Sequence, residues 1–185
     1  MEEVEYLGHI VGREGVWMDL KKIQAMKYWP QPKLLKSLRG FLGLTGYYCK
    51  FVCNYGCIAR PLTNLLKKNS FLWTEDAQQA FMALKQAMCS TPVLALPDFA
   101  KYFVIEWDAS GTGIGVFLMQ EGRPLAFTSQ QLSGKHLGQS TYEKEMMAIL
   151  HAVDTWRLCL LGRRFQICTD HQSLKYFLEQ RLSSP

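Results

Sequence analysis

No stretch of this sequence approaches the roughly 20 consecutive apolar residues that span a bilayer, so no membrane-spanning helix and no membrane partner is expected. The first residues, Met1-Glu2-Glu3-Val4-Glu5, carry acid where secretory and mitochondrial leaders carry base. Neither leader is therefore expected, and the expectation is an intracellular chain with no compartment specified. The six cysteines include no CxxC pair and no histidine at zinc spacing, which argues for free thiols in a reducing compartment. Cys49, Cys53 and Cys57 recur every four residues and suit one helix face, but the local partners of a zinc site are missing. Hydrophobic residues make up 48% of the 185, enough for a packed core and too many for a disordered chain. That length holds one domain or two small ones.

What is present is unevenly charged. Residues 1–70 hold eleven Lys and Arg against five acids, a balance of +6, whereas the remainder has ten bases and eleven acids. A basic front beside an acid-centred rear suits phosphate-backbone binding next to a metal site. A solvated helical surface accounts for the charge equally well.

Residues 4–11 read as one strand, 12–15 as a turn and 16–18 as a second strand. Asp19 is placed to cap a helix over 20–29, which Pro30 and Pro32 stop. Leu38, Phe41, Leu42 and Thr45 recur at helical spacing within 37–51. Gly40, Gly43 and Gly46 in that helix are read as close-packing positions, because no strand precedes them to make a phosphate loop. A short basic helix over 58–68 follows, then one over 75–89 capped by Thr74. Residues 90–100, with Pro92 and Pro97, are extended and join two units. Beyond them the pattern changes to strands over 102–108, 113–120 and 123–129, with a tight turn at Glu121-Gly122. Ser140 and Glu143 form a capping box opening a helix to about residue 161, with Met146, Ile149, Leu150, Val153, Trp156 and Leu160 facing inward. Gly162 ends it, 164–170 form a fourth strand, and 173–180 read as helical.

Three acids stand out in this frame. Asp108 closes the apolar run Phe103-Val104-Ile105-Glu106-Trp107, and Asp170 closes Phe165-Gln166-Ile167-Cys168-Thr169. Glu145 lies one helical turn before Ile149 and borders the apolar face of its helix, whereas Glu143 is accounted for by the cap. If the fourth strand lies parallel beside the first, both aspartates emerge at the carboxyl ends of neighbouring strands, where α/β sheets place their sites. Three carboxylates converging in a dry site need cations. An all-oxygen donor set suits Mg²⁺ or Mn²⁺, and two such ions promote phosphodiester hydrolysis. Taken singly, each acid is more often a cap or a surface group; it is the three together, at this spacing, that bring the metal site level with that reading. His171 reads as a helix-start residue or a neighbour of the site. Arg163 and Arg164 suit phosphate, or else the carbonyl end of the preceding helix.

Several segments resemble the polyprotein of gypsy-type LTR retrotransposons, from the end of the reverse transcriptase through most of its RNase H domain. Tyr6-Leu7-Gly8-His9 resembles the primer-grip hairpin. Trp29-Pro30 and the run from Leu38-Arg39-Gly40 to Gly46-Tyr47-Tyr48 resemble the thumb signature, which Pro61-Leu62-Thr63 and Trp73-Thr74 continue into the connecting region. The run from Pro92 to Asp98 leads into Asp108-Ala109-Ser110, Glu143-Lys144-Glu145 and Thr169-Asp170-His171, which resemble RNase H motifs. The resemblance implies an α/β fold with an α+β front part. Residues 1–89 would be the end of the palm, the thumb and connecting helices, 90–101 a linker, and 102–185 a C-terminally truncated RNase H-like mixed sheet with flanking helices. It implies Asp108, Glu145 and Asp170 as catalytic and metal-binding carboxylates for two Mg²⁺ or Mn²⁺ ions, with Asp108 shared between them. Tyr6, Leu7, Gly8, His9, Lys33, Lys36, Arg39 and Lys50 are the expected nucleic-acid contacts. The partner is an RNA–DNA hybrid or template–primer duplex, with other parts of the polyprotein as further partners.

Departures from the pattern shape the expected activity. The family's polymerase aspartates belong upstream of Met1, so no polymerisation by this chain alone is expected. Its RNase H fold adds a fifth strand and a fourth carboxylate, whereas only fifteen residues follow Asp170, with Glu179 and no further Asp. Trp107 stands where the family has Thr or Ser, and Cys49 where it has Arg. Two expectations follow: an RNase H-type endoribonuclease fragment of weak activity, or a non-catalytic remnant that only binds nucleic acid.

Overall fold

The computed structural model describes residues 3–110, 113–132 and 134–168, without the side chains of residues 108–110 and 135. The chain opens with an antiparallel meander, β1 (Val4–Tyr6), β2 (His9–Gly12) and β3 (Gly15–Met18). The single strand expected over 4–11 is two strands. Leu7 and Gly8 both take positive φ, 49° and 76°, the tight-turn conformation that matches strand twist. Leucine tolerates that conformation poorly, so pattern reading carries the strand straight through it.

Asp19 caps α1 (Leu20–Lys27), its carboxylate accepting from the Lys21 N–H at 2.9 Å. Next come α2 (Leu35–Tyr47), one 3₁₀ turn (Cys49–Phe51), α3 (Tyr55–Asn64) and α4 (Glu75–Cys89). Thr74 caps α4 as expected. The four residues expected on the inner face of α2, Leu38, Phe41, Leu42 and Thr45, are all buried. They share a core with Met18, Met26, Leu62 and Leu84, in which Phe41 meets Phe81 at 4.7 Å between ring centroids. Close packing explains only two of the three helical glycines. Gly40 faces Trp29 and Gly46 faces the Tyr55 hydroxyl, but nothing lies within 4 Å of where a side chain on Gly43 would begin.

The second sheet runs β6-β5-β4-β7, from β4 (Phe103–Ser110), β5 (Gly113–Gln120), β6 (Arg123–Gln131) and β7 (Phe165–Ile167). Glu121 and Gly122, at φ 50° and 74°, make the expected tight turn between β5 and β6. β7 lies parallel to β4, with Phe103, Val104 and Ile105 opposite Phe165, Gln166 and Ile167. The rest of the expected fourth strand and the helix over 173–180 lie outside the described residues. Ser140 and Glu143 complete the capping box of α5 (Thr141–Thr155), which α6 (Arg157–Leu160) extends after a break at Trp156. Of the face expected inward, Trp156 and Leu160 are buried, Val153 packs against the core and Leu150 turns outward. Glu145, Ala148, Ala152, Trp156 and Leu160 are buried, whereas Leu150 is 62% exposed. Alanines bring the helix axis close to Ile105, Ile114 and Val116, and close approach buries more than large side chains held at a distance would.

Two seams join the sheets and helices. Leu94 bridges Val16, and Ala95 donates to the Pro124 carbonyl at 2.7 Å. On the sheet face away from α5, the Gly56 N–H donates to Ser129 Oγ at 2.7 Å, and Gln131 donates back to the Gly56 carbonyl at 2.6 Å. Gly113 and Gly115 leave room there for the Cys57 and Asn54 side chains.

Candidate active site and nucleic-acid interface

Glu145 is the fifth residue of α5 and is 2% exposed. Asp19 and Glu145 are the buried carboxylates among the described residues, and Asp19 is occupied as a cap. Glu143, two residues earlier, accepts from the Ser140 N–H and hydroxyl at 2.8 and 2.9 Å. Those bonds hold its carboxyl below the usual range and account for it as the helix cap. The helix carrying Glu145 packs across β4 and β5. The backbone of Asp108 lies near the carboxyl end of β4, opposite Gly115. Asp170 and His171 fall outside the described residues, and no group of three metal-ligating side chains is found among those described. Trp107 packs against the core beneath α5.

The expected nucleic-acid residues fall into three places. Tyr6 and Leu7 are exposed at the β1–β2 turn, beside half-buried Gly8, while His9 is buried. The turn is strapped to the end of α2 by two neighbouring hydroxyls. Tyr47 donates to the Leu7 carbonyl at 2.8 Å and Tyr48 to the Gly8 carbonyl at 2.9 Å. Beneath the turn the His9 ring stacks on Tyr47, 5.4 Å away and within 8° of parallel, with Tyr48 edge-on and Phe51 tilted against it. Burial, then the Lys50 ammonium, holds the imidazole pKa below its ordinary value. Lys36 and Arg39, three residues apart, share one exposed side of α2, with exposed Lys33 just before the helix. Lys50 stands at the far end of α2, about 20 Å along a helix of that length, its ammonium 5.4 Å from the Phe51 ring centre. Burial pulls the Lys50 pKa down. Sequence reasoning missed the tyrosine strap; the available signal was the Tyr47-Tyr48 pair at the end of a helix.

A family model described as the RNase H-like domain found in reverse transcriptase matches residues 73–167. Among curated proteins, the chain is 44% identical over 177 residues to the retrovirus-related Pol polyprotein from transposon 297 of Drosophila melanogaster, covering 95% of this chain and 17% of the polyprotein. It is 37% identical over 194 residues to that from transposon gypsy of the same organism, covering 97% and 19%. The chain thus spans about a fifth or less of these relatives. Among solved structures, the foamy viral protease-reverse transcriptase dRH in complex with double-stranded DNA superposes with a TM-score of 0.87 at 22% identity, over 97% of this chain and 33% of that one. The foamy viral protease-reverse transcriptase in complex with RNA/DNA hybrid gives 0.82 at 22% identity, over 98% and 26%. At that identity the likeness establishes the fold. Among the described residues no helix is long and apolar enough to cross a membrane.

Proposed function

Because this chain belongs to the RNase H-like domain family found in reverse transcriptase, as part of a retrotransposon-type Pol polyprotein, we propose that it hydrolyses the RNA strand of RNA–DNA hybrids at a metal site built from Asp108, Glu145 and Asp170. The observation that carries this reading is the burial of Glu145 on a helix packed against the strand that bears Asp108. A carboxylate kept from water is costly unless hydrogen-bond donors or cations meet it, and a divalent cation would serve there. The strand register supports the third member. The interval that separates Phe103 from Phe165 in the parallel β4–β7 pair is the interval between Asp108 and Asp170.

The donor set fits the group. Three carboxylates with no thiol or imidazole favour hard divalent cations, Mg²⁺ or Mn²⁺. When bound, two such ions supply an activated water and charge stabilisation at the leaving oxygen. The chain's own part is to hold the ligands and the substrate. The capping box and the alanine-lined seam fix α5, and with it the direction of Glu145. Lys33, Lys36 and Arg39, with the strapped turn at Leu7-Gly8, are suited to hold a duplex by its backbone, with little reading of bases. The foamy viral structures with double-stranded DNA and RNA/DNA hybrid support a duplex as partner.

The test is cleavage of a labelled RNA–DNA hybrid in a Mn²⁺ titration, beside Asp108→Asn and Glu145→Gln. Expected is cleavage by the wild type and a loss in each variant beyond the roughly 10–100-fold that removing a metal site's supporting residue costs. No cleavage by the wild type at any Mn²⁺ concentration, with salt-sensitive hybrid binding retained, would leave a nucleic-acid-binding protein without nuclease activity.

A further inference from the structure

The amino ends of β4 and β7 lie side by side, because Phe103 pairs with Phe165. Tyr102 and Arg164, one residue earlier on each strand, therefore emerge together at the end of the strand pair opposite Asp108. They border a depression of about 540 Å³ lined by Tyr102, Arg163, Arg164, Phe165 and Gln166. Arg163 sits at its rim. Its guanidinium donates to the Leu158 and Cys159 carbonyls at 3.3 and 3.1 Å and lies over the Phe99 ring at 4.5 Å. Phe99 and Tyr102 are nonetheless 52% and 59% exposed. The acids at this end are already matched, since Lys101 meets Glu121 at 2.9 Å and Asp98 at 3.7 Å. Neither arginine has a carboxylate partner among the described residues, so the depression keeps a positive field.

We propose that this depression is a foothold for an unpaired nucleic-acid strand. Exposed aromatic faces interleaved with guanidinium groups take bases by stacking and phosphates by charge. In a duplex the bases are already stacked on each other, so such faces favour a single strand. The foothold goes beyond hybrid cleavage in ligand and in place. Five residues of strand separate Phe103 from Asp108, about 16 Å.

The experiment is fluorescence anisotropy of a labelled oligothymidylate of about twelve nucleotides with the full chain. Tyr102→Ala and Arg164→Ala are each expected to weaken binding about tenfold, the scale of one stacked base. Tyr102→Phe, which keeps the aromatic face, should bind as the wild type does. Arg164→Ala should also lower the salt slope by about 0.7. Both residues are exposed, and matching circular-dichroism melts would show that the variants fold. Oligothymidylate binding is read without divalent metal and without hydrolysis, so this foothold and the nuclease reading fail independently. Wild-type affinity in both alanine variants overturns the proposal, as does an equal loss in Tyr102→Phe. Tighter binding of polyglutamate than of oligothymidylate, lost in the same variants, overturns it in favour of an acidic peptide.

Discussion

His9 shows how a residue chosen for contact becomes a support. Its ring is walled by Tyr47, Tyr48 and Phe51, which come from about forty residues further along the chain. Burial and Lys50 both favour the neutral imidazole, so the folded pKa lies below the unfolded value of about 6.5. Below that pH the unfolded chain takes up the proton more readily, and stability is lost as pH falls. His151, half-buried beside Thr128 with its pKa also lowered by desolvation, adds to the same trend. The His9 share is isolated by comparison with His9→Phe, which keeps a stacking ring and cannot titrate. Melting temperatures of the two proteins from pH 8 to pH 5 should converge or cross, with the wild type falling more steeply. Parallel curves would show that His9 is protonated as easily folded as unfolded. At this scale the caps were legible: Asp19, Thr74 and Ser140 each bond to the helix start that follows. The environment of His9 was not, because sequence spacing says nothing about which distant rings close over it.

Among the elements, the strands of the second sheet and the Glu121-Gly122 turn were readable from local chemistry, whereas the parallel placement of β7 stood only as a condition until the register gave it. On α5, Trp156 and Leu160 were readable as inward, but Leu150 was misplaced and Ala148 and Ala152 were passed over because size was taken as the guide to burial, whereas small residues let a helix lie close to a sheet. The same blindness hid the role of Gly113 and Gly115, which sit in a strand but serve a helix. Asn54 precedes α3 at φ 56° and makes no side-chain capping bond, and its side chain occupies the space over Gly115. Gly115→Ala should therefore cost about 1–3 kcal/mol through overpacking, and that strain falls on the α3–β6 seam made by Ser129 and Gln131. Asn54→Gly removes the obstructing side chain and suits the left-handed backbone. The double variant should recover most of the loss in urea unfolding, with a coupling of about 0.5–3 kcal/mol. Additive effects of the two changes would place the strain somewhere other than the Asn54–Gly115 contact.

Across the whole molecule, charge and chemistry are divided between two ends of one joined body. The basic surplus lies in the first seventy residues, whereas the backbone of Asp108 belongs to the second sheet and Glu145 to the helix packed on it. The Val16–Leu94 bridge and the Gly56 bonds to Ser129 and Gln131 hold the two parts in register. That division was legible as a charge count, but not the finer point that only some of the bases share a face. Lys36 and Arg39 do, while Lys50 lies at the other end of α2, its ammonium against the Phe51 ring. If the hybrid's backbone tracks that face, each phosphate contact adds about 0.9 to the slope of log affinity against log salt concentration. Lys36→Ala with Arg39→Ala should lower the slope by about 2 and weaken hybrid binding at every sequence alike. Oligothymidylate binding at the amino ends of β4 and β7 should keep its slope in the same double variant. A hybrid slope that does not move would take the duplex off α2 and require another face of the molecule to carry it.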